Sequence, residues 1–334
     1  MVKSRKINVG ITIGDPNGIG IEIILKSLSD ISIFKDCNFI VYSSLNLIEK
    51  QKQHFQIDTP PLKNINSEED LSETQLNVKQ VFSNSQFNFG ESNKELSELG
   101  ILSLKKAVED IEGHKIDILV TAPINKQLSY STSFKYSGHT DFLKDYFNVD
   151  PLMLMISGVL RIALLTEHIP LKNVLDFINK DIVEKKIKVL EKCLVNDFKI
   201  NKPKIAVLAI NPHAGDNGLI GNEEELIIKP VINSFKGNTS SVYGPFSADT
   251  FFSNENYKKY DAIIAAYHDQ GLIPFKTISF GKGVNFSAGL SFIRTSPDHG
   301  TGFDIAGKGM ADHTSFTNAI KLGIELFKSR NNLV

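Results

Sequence analysis

Three of the eight histidines in this 334-residue chain stand in one context. His168 follows the apolar run RIALLTE, His213 follows IAVLAINP, and His268 follows AIIAAY. Each run reads as a strand, so each imidazole falls just past a C-terminal strand end. In open α/β sheets that edge is where ligands bind. Neutral imidazole is the commonest metal ligand, and three of them leave open positions for substrate on zinc or a similar ion. Any one of these residues reads equally well as a loop histidine bonded to backbone. Three in matched positions point together to a metal site. They lie 45 and 55 residues apart, which rules out a local motif such as H-E-x-x-H. The fold or an oligomer must therefore assemble any shared site. The following stretches, NPHAGDNG and YHDQG, carry Gly and Asp and suggest tight turns.

Other residues could hold an anion. SGHTDFL places His139 and Thr140 at a helix start, with Thr140 a good N-cap. Such a terminus offers unpaired N–H groups to a phosphate or carboxylate, although plain capping is the simpler account. Lys276, Lys282, Asn285 and Arg294 fall in a glycine-rich stretch that reads as a long loop, and such loops commonly carry function. Lysine as a point charge and arginine as a planar fork both suit phosphate. Lys282 is assigned to solvent. Asp249, in PFSADTFF, is a carboxylate among apolar neighbours. Desolvated, it could accept a proton or lie near a metal; it could also cap a helix.

These residues must be positioned by an α/β framework. Strand-like runs (INVGITI, NFIVYSS, DILVTA, LMLMI, VLRIALLT, KIAVLAI, DAIIAAY) alternate with helix-period segments such as ELGILSLKKAVEDI and DIVEKKIKVLEKCLVNDF. The run PLMLMISGVLRIALLT is broken by Ser157-Gly158 and Arg161, and reads as a hairpin rather than a membrane span. Residues 60 to 95 read as a polar surface excursion with at most one strand. A formal net charge of −1 offers no field for nucleic acid or an anionic membrane. Two distant cysteines, Cys37 and Cys193, and an N-terminus without an apolar leader suit a cytoplasmic protein. The first glycine-rich turn, ITIGDPNGIGIE, has the spacing G-x-x-x-G-x-G, neither the dinucleotide fingerprint nor a P-loop.

Taken in order, ITIGDPNGIGIE, VTAPINK, YSGHTDFL, LLTEHIPL, INPHAGDNG, PFSADTFF, AAYHDQGLIPFK and VNFSAGLSFIRTSPDHGTGFDIAGKG resemble the 4-hydroxythreonine-4-phosphate dehydrogenase family of vitamin B6 biosynthesis. Ile21, where the family usually has Pro, and Asn17, often Ala or Ser, are departures that remove no functional group. The resemblance implies a two-subdomain α/β/α fold similar to isocitrate and isopropylmalate dehydrogenases, with an active cleft between subdomains. The expected subdomains are 1–127 with 283–334, and 128–282. It implies a divalent metal on His168, His213 and His268, one ligand coming from the second protomer of a homodimer with shared active sites. Substrate contacts fall on His139, Thr140, Lys276, Asn285 and Arg294, and Asp249 is the candidate proton acceptor.

The implied reaction is oxidation of 4-phosphooxy-L-threonine at C3 by NAD or NADP, then decarboxylation to 3-amino-2-oxopropyl phosphate. Histidine ligands favour zinc, while substrate oxygens leave room for magnesium, manganese or cobalt. Two alternatives stand beside it: a 4-phospho-D-threonate or erythronate dehydrogenase of the same family, and a three-His zinc hydrolase without a nicotinamide.

Overall fold

The computed structural model describes residues 6–34, 36–84, 86–130, 134–237 and 241–333. Its strands in chain order are β1 (Ile7–Thr12), β2 (Cys37–Ser43), β3 (Leu62–Ile65), β4 (Leu76–Gln80), β5 (Ile118–Thr121), β6 (Leu152–Ser157), β7 (Leu160–Leu164), β8 (Lys204–Leu208), β9 (Ser241–Phe246), β10 (Ala262–Ala265), β11 (Val284–Ala288) and β12 (Ile293–Pro297). The chain divides into two compact units, Met1–Val149 with Leu290–Phe327, and Asp150–Gly289 with Lys328–Val334.

In the first unit six parallel strands run in the order β3-β4-β2-β1-β5-β12. Every residue of β1 is buried, as a parallel strand covered on both faces requires. The helix Lys94–Glu112 is capped by Asn93, whose side chain accepts from Leu96 N at 3.0 Å. Its buried residues Leu96, Leu99, Gly100, Ser103, Leu104, Ala107, Val108 and Ile111 recur at helical spacing and form one face.

The turn after β1 spends its donors internally. Asp15 N bonds Pro123 O (2.9 Å), Asn17 N bonds the Asp15 carboxylate (3.0 Å), Gly18 N bonds Asp15 O (3.0 Å) and Ile19 N bonds Thr301 O (2.9 Å). Asp15 also accepts from Ser97 Oγ. Burial raises the Asp15 pKa against the opposing pull of these two side-chain hydrogen bonds. With the N–H groups of Asp15, Asn17, Gly18 and Ile19 occupied and Gly14 to Gly20 buried, this turn is a packing element and not a phosphate cradle.

The second unit has the order β11-β6-β7-β10-β8-β9. β6 and β7 form the expected antiparallel hairpin, turning at Gly158 and Val159. β7, β10, β8 and β9 are parallel neighbours. The helix Lys180–Asn196 turns Val183, Ile187, Leu190, Cys193 and Leu194 inward. Arg330 closes the unit with a two-pronged pair to Asp197 (2.8 and 3.1 Å). Cys37 and Cys193 are buried and in no disulfide. No helix among the described residues is long and apolar enough to cross a membrane.

The structure departs from the sequence reading in three places. Residues 60 to 95 hold two strands, β3 and β4. β11 and β12 emerge from the stretch read as a loop, where glycines flank two short apolar runs. The first unit extends to Val149 rather than 127, because Phe142 and Leu143 pack into its core beside Phe134 and Leu119. β11 belongs to the second unit through its antiparallel pairing with β6.

A Cβ on Gly100 would lie 2.3 Å from Gly14 O, with backbone on both sides of the contact. Gly100→Ala gains up to about 1 kcal/mol of helix propensity but forces an overpacking cost of roughly 1–3 kcal/mol. Its urea midpoint is expected to fall; an unchanged or higher midpoint would refute the close approach.

Candidate active site

The histidine-bearing edge follows from strand register. β10 lies between β7 and β8, and its pairing with β7 continues past the strands. Leu165 N bonds Ala265 O at 2.9 Å, and Thr166 bonds Ala266 O through both N (3.2 Å) and Oγ1 (2.8 Å). Two residues beyond this last rung, His168 and His268 stand with ring centroids 5.6 Å apart. Gln270 ties the next strand in, accepting from Ala266 N and donating to Ala209 O, each at 2.7 Å.

His268 is the first residue of the helix His268–Ser279, so YHDQG starts a helix rather than a tight turn. Its Nδ1 lies 2.7 Å from Asp269 Oδ1. A carboxylate only accepts, which places the proton on Nδ1 and the lone pair on Nε2, the ligating tautomer. Nothing in the sequence singled out Asp269 or Gln270, although both lie in the quoted YHDQG.

His213 follows β8 on an exposed loop of unusual hand. His213, Ala214, Asp216 and Asn217 all have positive φ, between 42° and 55°. The left-handed region costs an L-residue roughly 1–2 kcal/mol, so the loop is held by its surroundings. Among the described residues no group of three His, Cys, Asp or Glu side chains is close enough to hold a metal ion. One chain thus brings two of the three histidines together.

Asp249 follows β9, the next strand along, in the helical turn Ala248–Phe251. That turn points Phe251 into the core and leaves Asp249 exposed. The expected desolvation of this carboxylate is absent in the single chain, because the apolar neighbours face inward and the carboxylate outward.

The anion candidates divide between the units. In the first, Arg294 lies on β12 opposite Leu119 of β5 and is buried at 2% exposure. Its Nη2 donates to Thr121 Oγ1 at 2.7 Å. Burial draws its pKa down to about 10, so the guanidinium remains charged at neutral pH. The helix His139–Phe147 is capped at Gly138, without a side-chain cap, so Thr140 stands inside the first turn and is not its N-cap. Ser137 Oγ instead donates to Asp141. His139 is half-buried, and its Nε2 is sealed without a hydrogen-bond partner. Desolvation first, then the charges of Arg294 and Lys126, hold its pKa well below 6.5. Lys126, from the quoted VTAPINK, is the cation that residue types alone did not select.

In the second unit Lys276 is exposed on the helix that His268 opens, eight residues on. That places it roughly 12 Å along the axis and about 80° around it. Asn285 sits on β11 opposite Met155, with Oδ1 buried and unpartnered. Both residues therefore occupy regular elements and not the loop expected for them. Lys282 is exposed in the turn between helix and strand.

Residues 35–323 match the family described as pyridoxal phosphate biosynthetic protein PdxA. The chain is 38% identical over 332 residues to a 4-hydroxythreonine-4-phosphate dehydrogenase of Bacteroides thetaiotaomicron, covering 98% of this chain and 91% of that one. It is 36% identical over 329 residues to a protein of Oceanobacillus iheyensis provisionally named D-threonate 4-phosphate dehydrogenase, covering 97% and 98%. The crystal structure of 4-hydroxythreonine-4-phosphate dehydrogenase from Klebsiella pneumoniae matches with a TM-score of 0.83 at 33% identity, over 97% of this chain and 98% of that one. Fold and sequence together define an α/β dehydrogenase. The chain belongs to the pyridoxal phosphate biosynthetic protein PdxA family, and the hydrolase alternative falls with that result.

His139 gives a test of the site's electrostatics. Its folded pKa lies below the ordinary value of about 6.5, so below that pH the unfolded chain binds the extra proton first. Stability due to this group is present above about pH 6.5 and is lost as pH falls toward the folded pKa. The melting temperature of the parent protein, compared with His139→Gln, is expected to fall relative to the variant from pH 8 to pH 5. A constant difference would refute the sealed, neutral imidazole.

Proposed function

We propose that this chain catalyses NAD(P)-linked, metal-dependent oxidation of 4-phosphooxy-L-threonine at C3, with decarboxylation of the resulting β-keto acid to 3-amino-2-oxopropyl phosphate. The observation that carries this reading is the His168–His268 pair on adjacent parallel strand ends, in a chain of this dehydrogenase family. Two imidazoles 5.6 Å apart, one of them oriented by a carboxylate, are a donor set suited to zinc, with manganese, cobalt or magnesium as alternatives. His213 supplies the third imidazole. When bound, such a cation supplies Lewis acidity toward the substrate's C3 oxygen, and a nicotinamide supplies the acceptor for hydrogen and its electron pair.

The chain's own residues do the rest. Arg294 and Lys276 bind the anionic ends of the substrate, Arg294 as a planar fork already fixed by Thr121. Neutral His139 offers its sealed Nε2, and Asn285 its buried Oδ1, to polar groups of the substrate. A buried acceptor without a donor costs roughly 1–3 kcal/mol, which a ligand N–H or O–H in that place would offset. Thr140 adds a hydroxyl at the same helix start as His139, and Asp249 accepts the proton from the C3 alcohol.

The working form is a cytoplasmic homodimer with shared sites. A chain that brings only two of three imidazoles together leaves the third to a second copy. Leu171, Phe177, Leu219, Ile273 and Phe280 of the second unit are 53 to 82% exposed, apolar side chains of the kind that association covers.

The Oceanobacillus relative favours one other reading, oxidation of the 2-hydroxy analogue D-threonate 4-phosphate. Both substrates, assayed side by side for NADH and NADPH formation with and without chelator, decide between them. Reduced cofactor is expected with the amino substrate and is expected to disappear on metal removal. Turnover of the threonate phosphate alone would overturn the substrate; turnover after complete metal stripping would overturn the metal.

Subunit sharing is tested by mixing. Equal amounts of His213→Ala and His268→Ala chains, each inactive alone, are expected to recover about one quarter of parent activity after random exchange into two-fold dimers. No recovery with mixed dimers verified would place both ligands of a site on one chain.

A further inference from the structure

The loop that carries His213 is wound in an unfavourable hand. From His213 to Gly218 six successive residues have positive φ: 53°, 55°, 76°, 42°, 54° and 94°. Four of the six are not glycine, and such a run persists only where the surroundings over-determine it. The segment closes 3-10 turns of its own over Pro212–Gly218, and Leu219 N to Asp216 O (3.2 Å) and Ile220 N to Gly215 O (3.0 Å) end it.

Glu224 meets the loop from beneath. Its carboxylate belongs to a residue at 0% exposure. Oε1 accepts from Ile210 N (2.8 Å) and Asn211 N (2.7 Å), and Oε2 accepts from Asn211 Nδ2 (2.9 Å). The Asn211 amide also donates to Glu223 Oε2 at 2.7 Å. A Cβ on Gly215 would come within 2.7 Å of Glu224 Oε2, so the same carboxylate lies against the loop just after His213. Glu224 opens the π-helical turn Glu224–Ile228, a widened geometry frequent at functional sites.

Among the described residues this carboxylate's hydrogen bonds go to Ile210 and Asn211, just before Pro212-His213, and it lies against Gly215 just after. We propose that Glu224 is a positioning residue whose carboxylate holds the loop 210–215 in its left-handed form and so aims His213 at the metal. This rests on the reading of His213 as a metal ligand. Residues that orient a ligand from behind typically contribute 10- to 100-fold in metal affinity. Glu224→Gln keeps an acceptor for the two backbone N–H groups but sets an NH2 against the Asn211 amide; Glu224→Ala removes both.

The test is Zn2+ binding by the full-length chain in competition with a chromophoric chelator, with the visible spectrum of the Co2+ form as a second readout. Glu224→Gln is expected to weaken Zn2+ binding by about 10- to 100-fold and alter the Co2+ spectrum, with circular dichroism unchanged and kcat recovering at excess Zn2+. Glu224→Ala is expected to lose more. Should Glu224→Ala fail to fold, Gly215→Ala displaces the loop from its other side and is expected to weaken Zn2+ binding in the same way. Parent-like Zn2+ affinity in Glu224→Gln with only a lowered melting temperature would overturn the proposal. His213→Ala in parallel separates the two inferences: if it binds Zn2+ like the parent, the metal-site reading fails. If it loses Zn2+ while Glu224→Gln and Gly215→Ala do not, the positioning role alone fails.

Discussion

Parallel register between β7, β10 and β8 is the constraint on which the site depends. Parallel strands end at a common edge, so residues placed just beyond each strand converge without any local motif to join them. Ala265 pairs with Leu164, the ladder runs on to Thr166 and Ala266, and His168 and His268 then meet. A one-residue slip in this register would turn one imidazole away from the other. The register is fixed by burial on both faces, since Ile162, Ala163, Leu164, Ile263, Ile264 and Ala265 are all at most 1% exposed. The same logic brings Asp249 to this edge through β9, although a short helical turn then aims it outward.

The first unit answers a different physical problem, how to keep a positive charge buried. Arg294 is held in place by Thr121 and by its position inside a parallel pair, so little side-chain freedom remains to be lost on binding. Burial is unfavourable for the guanidinium, and the depressed pKa records it. His139 beside it stays neutral, for a second positive charge there would meet both desolvation and repulsion from Arg294 and Lys126. A neutral imidazole can donate or accept, so the burial that excludes a second cation leaves a polar group in its place.

The framework was legible because burial writes itself into composition. Runs such as INVGIT and AIIA are buried on both faces and uninterrupted, and the histidines after them could be assigned to strand ends from order alone. β11 and β12 were not legible, because VNFSA and IRTSP are short and flanked by glycines, and their strand character comes from pairing with β6 and β5. This moved Asn285 and Arg294 from a loop to fixed positions in sheets. Thr140 was misplaced by one turn boundary, since Gly138 takes the cap and Ser137 bonds onward to Asp141. Asp249 looked enclosed from its neighbours in sequence, but a helical turn separates successive side chains by about 100° and sends them to opposite environments. Lys126, Asp269 and Glu224 carry no signal by type, because each matters through what the fold sets beside it.

The left-handed loop after β8 joins these themes. A right-handed turn at the same place would spare its four non-glycine residues the left-handed cost, so the observed hand calls for support from outside the loop. The support is a buried carboxylate that accepts three N–H groups immediately before the histidine and touches the glycine two residues after it. Such a clamp fixes the backbone at His213 while leaving the imidazole itself exposed. An exposed side chain on a loop held in this way has its geometry set in advance, so little ordering cost falls due if it binds.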